Sequence, residues 1–327
     1  HREDRVVTFR LTPPPAVLAP LVREAPSRLD PFRLDGPALV SFSGGRTSAY
    51  MLRRILDANG GRLPAGVHAV FANTGKERAE TLDFVRDCAE RWGVHIVWIE
   101  RDGVEGYREV DYERASRNGE PFAELIAERR YLPNAVARFC TSDLKVLPLA
   151  AWMRAQGHDT WLNVVGLRRD EARRVAKVRA RNATGEQAWE SVCPLYDARV
   201  VKGDVAAFWR AQPFDLALQS YEGNCDICPI KGERIRARII RERPDLVAWW
   251  IEQERLVGGT FVSGDSYAAL TERVRRLPLL PVDLDPEAET AIPCACTDRR
   301  RVRCRCGARR GQGHALACPV VMERWAA

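Results

Sequence analysis

No apolar run in this 327-residue sequence approaches the roughly 18 to 20 residues of a membrane span, and its start lacks the short hydrophobic core of a signal peptide. A cytoplasmic protein with no membrane partner is therefore expected. No internal repeat is visible, and lysine is scarce. The 51 basic residues, set against 44 acidic ones for a net charge of +7, are almost all arginine. Its planar fork suits phosphate and nucleic acid, although a solvated surface or a GC-rich genome gives the same bias. With no export signal, the ten cysteines are expected to be reduced. They read as metal or cluster ligands and core residues rather than disulfides.

The length suits one large α/β domain with additions or two modest domains. Residues 1–36 are irregular and proline-rich, with Pro13, Pro14 and Pro15 in a row. They read as an arm or flexible lead. From Ala38 the pattern alternates: strands at Ala38 to Phe42, Val67 to Phe71, Val94 to Ile99 and Thr160 to Gly166, with helices between them. That rhythm predicts a parallel sheet flanked by helices over 37–243, with ligands outside the carboxyl ends of the strands. The segment 101–135 reads as loop plus a short helix near Phe122 to Arg130. In the helix ending at Trp92, the helical spacing of Leu82, Val85 and Cys88 makes Cys88 a core residue. A helical extension is expected over 244–290, with Trp249 and Trp250 in its core, and a Cys/Arg-rich tail over 291–327.

The first strand gives way to Ser43-Gly44-Gly45-Arg46-Thr47-Ser48, and a helix follows. Glycines there let the backbone approach an anion, the helix start supplies unpaired N–H groups, and Ser43, Thr47 and Ser48 add hydroxyls. The spacing fits neither G-x-x-x-x-G-K-[ST] nor G-x-G-x-x-G. An ordinary Gly/Ser turn is the plain alternative. Thr74-Gly75 after the second strand and Gly166 after the fourth would open onto the same edge, as would Arg168, Arg169, Arg173 and Arg174. These arginines either clamp phosphates or form a solvated helix face.

Cys225 and Cys228 form a C-x-x-C pair in a glycine-containing loop, a spacing that aims two sulfurs at one metal centre. Cys140 and Cys193 occupy suggestive settings of their own. Four soft thiolates fit a [4Fe-4S] cluster or a structural zinc, and the spacing alone does not choose between them.

In order, Ser43-Gly44-Gly45, Asn73-Thr74-Gly75, Arg138 to Leu149, Gly166 to Glu171, Cys193-Pro194-Leu195 and Cys225 to Cys228 resemble the phosphoadenosine phosphosulfate reductase-like branch of the PP-loop ATP pyrophosphatases, over about residues 36 to 235. The resemblance implies a parallel-sheet, adenine nucleotide alpha hydrolase-like fold, with ATP and Mg2+ as the nucleotide. It places ATP on Ser43, Gly44, Gly45, Arg46, Thr47, Ser48, Thr74, Gly75, Gly166, Arg168 and Arg174, and the catalytic roles on Ser43, Lys145 and Arg168. It implies a [4Fe-4S] cluster on Cys140, Cys225 and Cys228, with Cys193 as fourth ligand. The implied chemistry is adenylation followed by sulfur transfer, as in the sulfur-transfer proteins of DNA phosphorothioation. The substrate would be DNA or tRNA, and a cysteine desulfurase would donate the sulfur.

Three departures refine this. Arg46-Thr47 stands where many PP-loop enzymes have Lys-Asp, which leaves magnesium handling at that position open. Thr141 follows Cys140 where cluster-bearing sulfonucleotide reductases have a second cysteine, and no Glu-Cys-Gly-Leu-His tail is present. The last two departures argue against one rival, a sulfonucleotide reductase, and favour ATP-dependent sulfur delivery. Thr47 and the arginine-rich tail keep open the other, a non-catalytic nucleic-acid-binding protein on a degenerate PP-loop. In the tail, Cys294, Cys296, Cys304 and Cys306 flank an arginine loop that would either fold around zinc or a second cluster or stay a flexible basic tail.

Overall fold

The computed structural model describes residues 30–276 except Glu105 and Asn224. The expectations for the first 29 residues and for the Cys/Arg-rich tail, its zinc included, lie outside the described residues. Six strands form one sheet: β1 (Ala38–Phe42), β2 (Val67–Asn73), β3 (Ile96–Asp102), β4 (Gly106–Val110), β5 (Trp161–Val164) and β6 (Trp189–Val192), in the order β4-β3-β2-β1-β5-β6. All neighbours are parallel except β3 and β4. The helices are α1 (Arg46–Ala58), α2 (Ala79–Trp92), α3 (Glu120–Arg129), α4 (Phe139–Thr141), α5 (Leu147–Ala155), α6 (Ala172–Asn182), α7 (Pro194–Asp197), α8 (Lys202–Arg210), α9 (Glu233–Glu242), α10 (Val247–Val257) and α11 (Tyr267–Arg276).

Strand periodicity builds two cores. Ala38, Val40 and Phe42 face one way, onto α1, α2 and α8, while Leu39 faces the other, onto Ala150, Trp152 and Met153 of α5. A sheet covered on both sides explains why β1 and β2 read as nearly continuous apolar runs. Cys88 is fully buried in the first of these cores, as its spacing predicts. Phe32 and Leu34 are buried in it too, so the last residues of the expected arm belong to the domain.

Two strands fall where none was expected. β4 lies inside the segment read as loop and helix, and β6 lies beyond Gly166. Both are short edge strands with polar side chains, Arg108 and Glu109 in one and Glu190 and Ser191 in the other, so they lack an apolar signature. The boundary expected at 243/244 runs through a third core. Phe122, Leu125 and Ile126 of α3, Ile227, Ile239 of α9, Trp250 of α10 and Tyr267 of α11 pack together, so the helical extension and the C-x-x-C loop share one apolar cluster.

The chain runs from β1 to β2 and β3 on one side, then crosses to β5 and β6 on the other. The strand order therefore reverses at β1 and β5, the position where open α/β sheets hold ligands. Ser41 Oγ donates to Asn163 Oδ1 at 2.8 Å across that seam.

Candidate active site

The loop after β1 is a cradle held by its own hydroxyls. Ser48 Oγ accepts from the Ser43 N–H at 3.2 Å and from Ser43 Oγ at 3.0 Å, and donates to Gly45 O at 2.9 Å. That exhausts a hydroxyl, so buried Ser48 is a strut of the loop rather than a donor to a ligand. Gly44 has φ +70°, and a Cβ there would stand 2.6 Å from Thr81 Cγ2. Glycine is required by both conformation and space. Gly45 caps α1 in extended backbone, and no acidic residue sits in the first turn of the helix, so its positive end is uncompensated.

Arg46 takes a different part from the one expected of it. Its guanidinium donates to Asp215 at 2.7 and 2.8 Å, to Leu218 O at 3.1 Å and to Leu216 O, which ties the 215–218 segment to the start of α1. The side chain is spent on these partners, and its backbone N–H is what remains to the cradle. Arg168 does arrive at the loop. It donates to Thr47 Oγ1 at 3.0 Å and pairs with Asp170 at 3.1 Å. Gly166 lies against the Ser48 backbone, where a Cβ would come within 3.4 Å of Ser48 Cα. The ends of β1 and β5 thus meet at the cradle.

After β2, the Thr74 N–H and hydroxyl donate to Glu77 Oε2 at 2.9 and 2.7 Å. Glu77 Oε1 lies 3.2 Å from Lys145 Nζ. Gly75, at φ +75°, packs against Gly119. Lys145 sits in a π-helical turn, Ser142–Val146, between α4 and α5. Such turns displace side chains from helical register and recur at functional sites. Burial pulls the Lys145 pKa down, but Glu77 and the Cys225 thiol outweigh it and hold the ammonium firmly charged.

Three of the four expected ligands converge. Cys140, Cys225 and Cys228 line one cavity of about 720 Å³ together with Ser43, Thr74, Lys145 and Arg174. Burial raises the Cys140 and Cys225 thiols, and each is raised further by Cys228. Cys193 is elsewhere. It is buried against Leu167 and Val175 beneath α6, its thiol pushed up to about 11 by burial and by Asp197. Its place at the end of β6, on the inner side of α6, turns it into that apolar cluster and away from the other three.

The C-x-x-C loop is braced by residues that short motifs do not reveal. Lys76 Nζ pairs with Asp226 at 2.8 Å, both buried, and Trp250 Nε1 donates to Asp226 at 2.8 Å. Trp250 is core, as expected, while Trp249 lies under the Lys76 ammonium, 4.9 Å from its ring centroid. Lys231 Nζ donates to the backbone carbonyls of Glu222, Cys225 and Asp226. A charged residue next to a turn was the available signal at Lys76 and Glu77, but their partners lie about 150 residues and 70 residues away, beyond local pattern.

A strand-reversal crevice, a glycine cradle at a helix start and a thiol-lined cavity are the marks of an α/β protein of the PP-loop kind. The chain belongs to the family of the phosphoadenosine phosphosulfate reductase domain, whose model matches residues 37–214. It is 30% identical over 201 residues to the uncharacterized nin region protein ORF290 of Escherichia phage lambda, an alignment covering 58% of this chain and 64% of that protein. It is 25% identical over 221 residues to the uncharacterized protein MJ0066 of Methanocaldococcus jannaschii, covering 67% and 41% respectively. The chain thus spans less than two thirds of the length of either relative. Among solved structures, it is similar to the U34-tRNA thiolase NcsA from Methanococcus maripaludis with its [4Fe-4S] cluster, at 16% identity and a TM-score of 0.31, covering 85% of this chain and 78% of that one.

Proposed function

We propose that this protein is an ATP-dependent sulfur-transfer enzyme acting on nucleic acid, as in DNA phosphorothioation or tRNA thiolation. The observation that carries the reading is the shared cavity: Ser43 and Thr74 of the nucleotide edge and the thiols of Cys140, Cys225 and Cys228 line the same space. A substrate oxygen attacks the α-phosphate of ATP in line, the bond to the bridging oxygen breaks, and pyrophosphate leaves. A sulfur nucleophile then displaces AMP from the adenylated substrate. The backbone N–H groups at the start of α1 hold the pyrophosphate, Ser43 lining the space beside them, with Mg2+ carried on the nucleotide. Arg168 and Lys145 face the charge that develops at the phosphorus.

Three soft thiols on one cavity are a donor set that suits an iron-sulfur cluster. A cluster spreads its thiolates over several irons. With Cys140, Cys225 and Cys228 as its ligands, a [4Fe-4S] cluster would supply one iron free of protein thiolate and open to sulfide. Lys145 and Lys231 flank these thiols and offset their charge. A cysteine desulfurase is the proposed sulfur donor.

The test is product analysis with full-length, anaerobically prepared protein, ATP, sulfide and an oligonucleotide. AMP and pyrophosphate in step with thiolated product are expected. ADP and phosphate instead would overturn the reading. The family match keeps one other reading in view, a sulfonucleotide reductase, which sulfite release from adenylyl sulfate would reveal.

A further inference from the structure

The described side chains lining the 720 Å³ cavity include Arg138, Lys145, Arg174 and Lys231 but no Asp or Glu. Two of these cations are engaged inside the protein, Lys145 by Glu77 and Lys231 by backbone carbonyls. Arg174 pairs with Glu171, at the start of its own helix, and is mostly exposed. Arg138 is exposed and has no ion pair among the described residues. The positive charge of this wall therefore faces outward, toward whatever enters.

That charge continues along α6. Between Ala172 and Asn182 the helix carries Arg173, Arg174, Lys177, Arg179 and Arg181 and no acid, while Val175 is buried beneath it. Arg173, Lys177 and Arg181 are exposed and have no ion pair among the described residues. Arg174 pairs with Glu171 and Arg179 with Asp197, which leaves Arg173, Lys177 and Arg181, four residues apart on one face, to repel one another at a cost that a polyanion would relieve.

Apolar groups stand exposed beside this charge. The loop between α3 and α4 contributes Pro133, Asn134 and Arg138 to the cavity wall. On the same loop Tyr131 is 51% exposed and Val136 91% exposed. The loop is ordered by Asn134, whose side chain accepts the N–H groups of Val136 and Ala137 at 2.9 and 2.8 Å and donates to Tyr131 Oη at 2.9 Å. The Tyr131 ring is thereby held in place with its surface open. An aromatic fixed in this way, half exposed, 6.3 Å from the Phe139 ring and on the loop that carries the unpaired Arg138, is suited to stack an unpaired base. Bases paired inside a duplex offer no such face.

We infer that α6 and the 131–138 loop form a binding surface for single-stranded nucleic acid, α6 holding the phosphates and Tyr131 stacking a base at the cavity. This rests on the proposed ATP-dependent reading and adds to it the form of the substrate: a strand with an unpaired nucleotide at the modified position.

The test is fluorescence anisotropy on the full chain across a salt series. The probes are labelled single strands of about 16 nucleotides, as DNA and as RNA, with the DNA duplex and a polyglutamate peptide as competitors. Single strands are expected to bind more tightly than duplex or peptide, and the tighter of the DNA and RNA arms names the source. Replacing Arg173, Lys177 and Arg181 together by Ala should lower the slope of log affinity against log salt by about 2, at roughly 0.7 per lost contact. Tyr131→Ala should weaken binding about 5- to 100-fold with the slope unchanged, and Tyr131→Phe should restore it. All four residues are exposed, so a folding defect is not expected, and circular dichroism checks it.

An unchanged slope in the triple variant, no effect of Tyr131→Ala, or equal binding of duplex or peptide would overturn the surface. ATP binding is measured on the same samples. A wild-type chain that binds ATP but no oligonucleotide overturns this surface, whereas oligonucleotide binding without any ATP binding overturns the ATP-dependent reading alone.

Discussion

Glu77 and Cys225 face each other in an isolated antiparallel bridge, which joins the turn after β2 directly to the C-x-x-C loop. The joint continues one residue on each side. The Asp226 N–H donates to Lys76 O at 2.9 Å, and the Lys76 ammonium returns to the Asp226 carboxylate. The Thr74 end of the nucleotide edge and the thiols therefore move as one piece. That coupling bears on the proposed reaction, in which phosphate and sulfur must meet.

Breaking the joint should be costly. Asp226 and Lys76 are 3% and 7% exposed at their side chains, so Asp226→Ala leaves an ammonium buried without its counter-charge and the Trp250 N–H without its acceptor. Urea unfolding should show a loss of about 3–5 kcal/mol. Asp226→Asn keeps an acceptor for Trp250 and should fall between wild type and Asp226→Ala. A loss under about 1 kcal/mol for Asp226→Ala would show that the pair does not hold the loop.

The two glycines of the cradle should part company on substitution. Gly44→Ala meets both a left-handed backbone and the Thr81 methyl group, so it should lower thermal stability. Gly45 has φ −106° and ψ 158°, a conformation open to any residue. Gly45→Val should therefore fold and melt like wild type while losing ATP binding, because its branched side chain stands where the phosphates approach the N–H groups. Isothermal titration with ATP separates the two. Unchanged affinity in Gly45→Val would remove the nucleotide from this loop.

The thiols divide three to one. Protein purified without oxygen should be brown and carry about four irons per chain. Cys140→Ser, Cys225→Ser and Cys228→Ser should each lose colour and iron. Cys193→Ser should keep both, since Cys193 packs against Leu167 and Val175 and not in the cavity. Stoichiometric zinc with no iron would replace the cluster with a structural metal, and iron loss in Cys193→Ser would bring that residue back among the ligands.

These contrasts mark what was legible beforehand. The strand, glycine turn and helix at 38–58 announce themselves because backbone conformation and apolar periodicity are local properties. So does the convergence of Thr74, Gly166 and Arg168, because a parallel sheet brings every strand end to one edge. Arg46 and Ser48 carry the right chemistry for anions, yet their roles are set by partners, Asp215 for one and Ser43 with Gly45 for the other. A sequence does not show which donors are already engaged. Cys193 illustrates the same limit, because one turn of direction at the end of β6 decides whether a thiol faces a cavity or a core. β4 and β6 escaped because edge strands need no apolar alternation.

The last expectation concerns the end of the sheet opposite the cradle. His68 is the second residue of β2, its ring 5.7 Å from His158 and 5.0 Å from Trp152. Partial burial lowers its pKa, and His158 and His95 lower it further, since a proton on any one repels a proton on the next. The unfolded chain therefore takes up a proton at higher pH than the folded His68 does. Stability from this group is complete above its ordinary value near 6.5 and is lost as pH falls below it, through the folded value. His68→Gln removes the titrating group, so its melting temperature should decline less steeply than that of wild type on going from neutral pH into the acid limb, with His158→Gln giving a smaller change in the same direction. Thermal melts in matched-ionic-strength buffers measure this. Parallel acid limbs for wild type and His68→Gln would show that the histidine cluster contributes nothing to acid sensitivity.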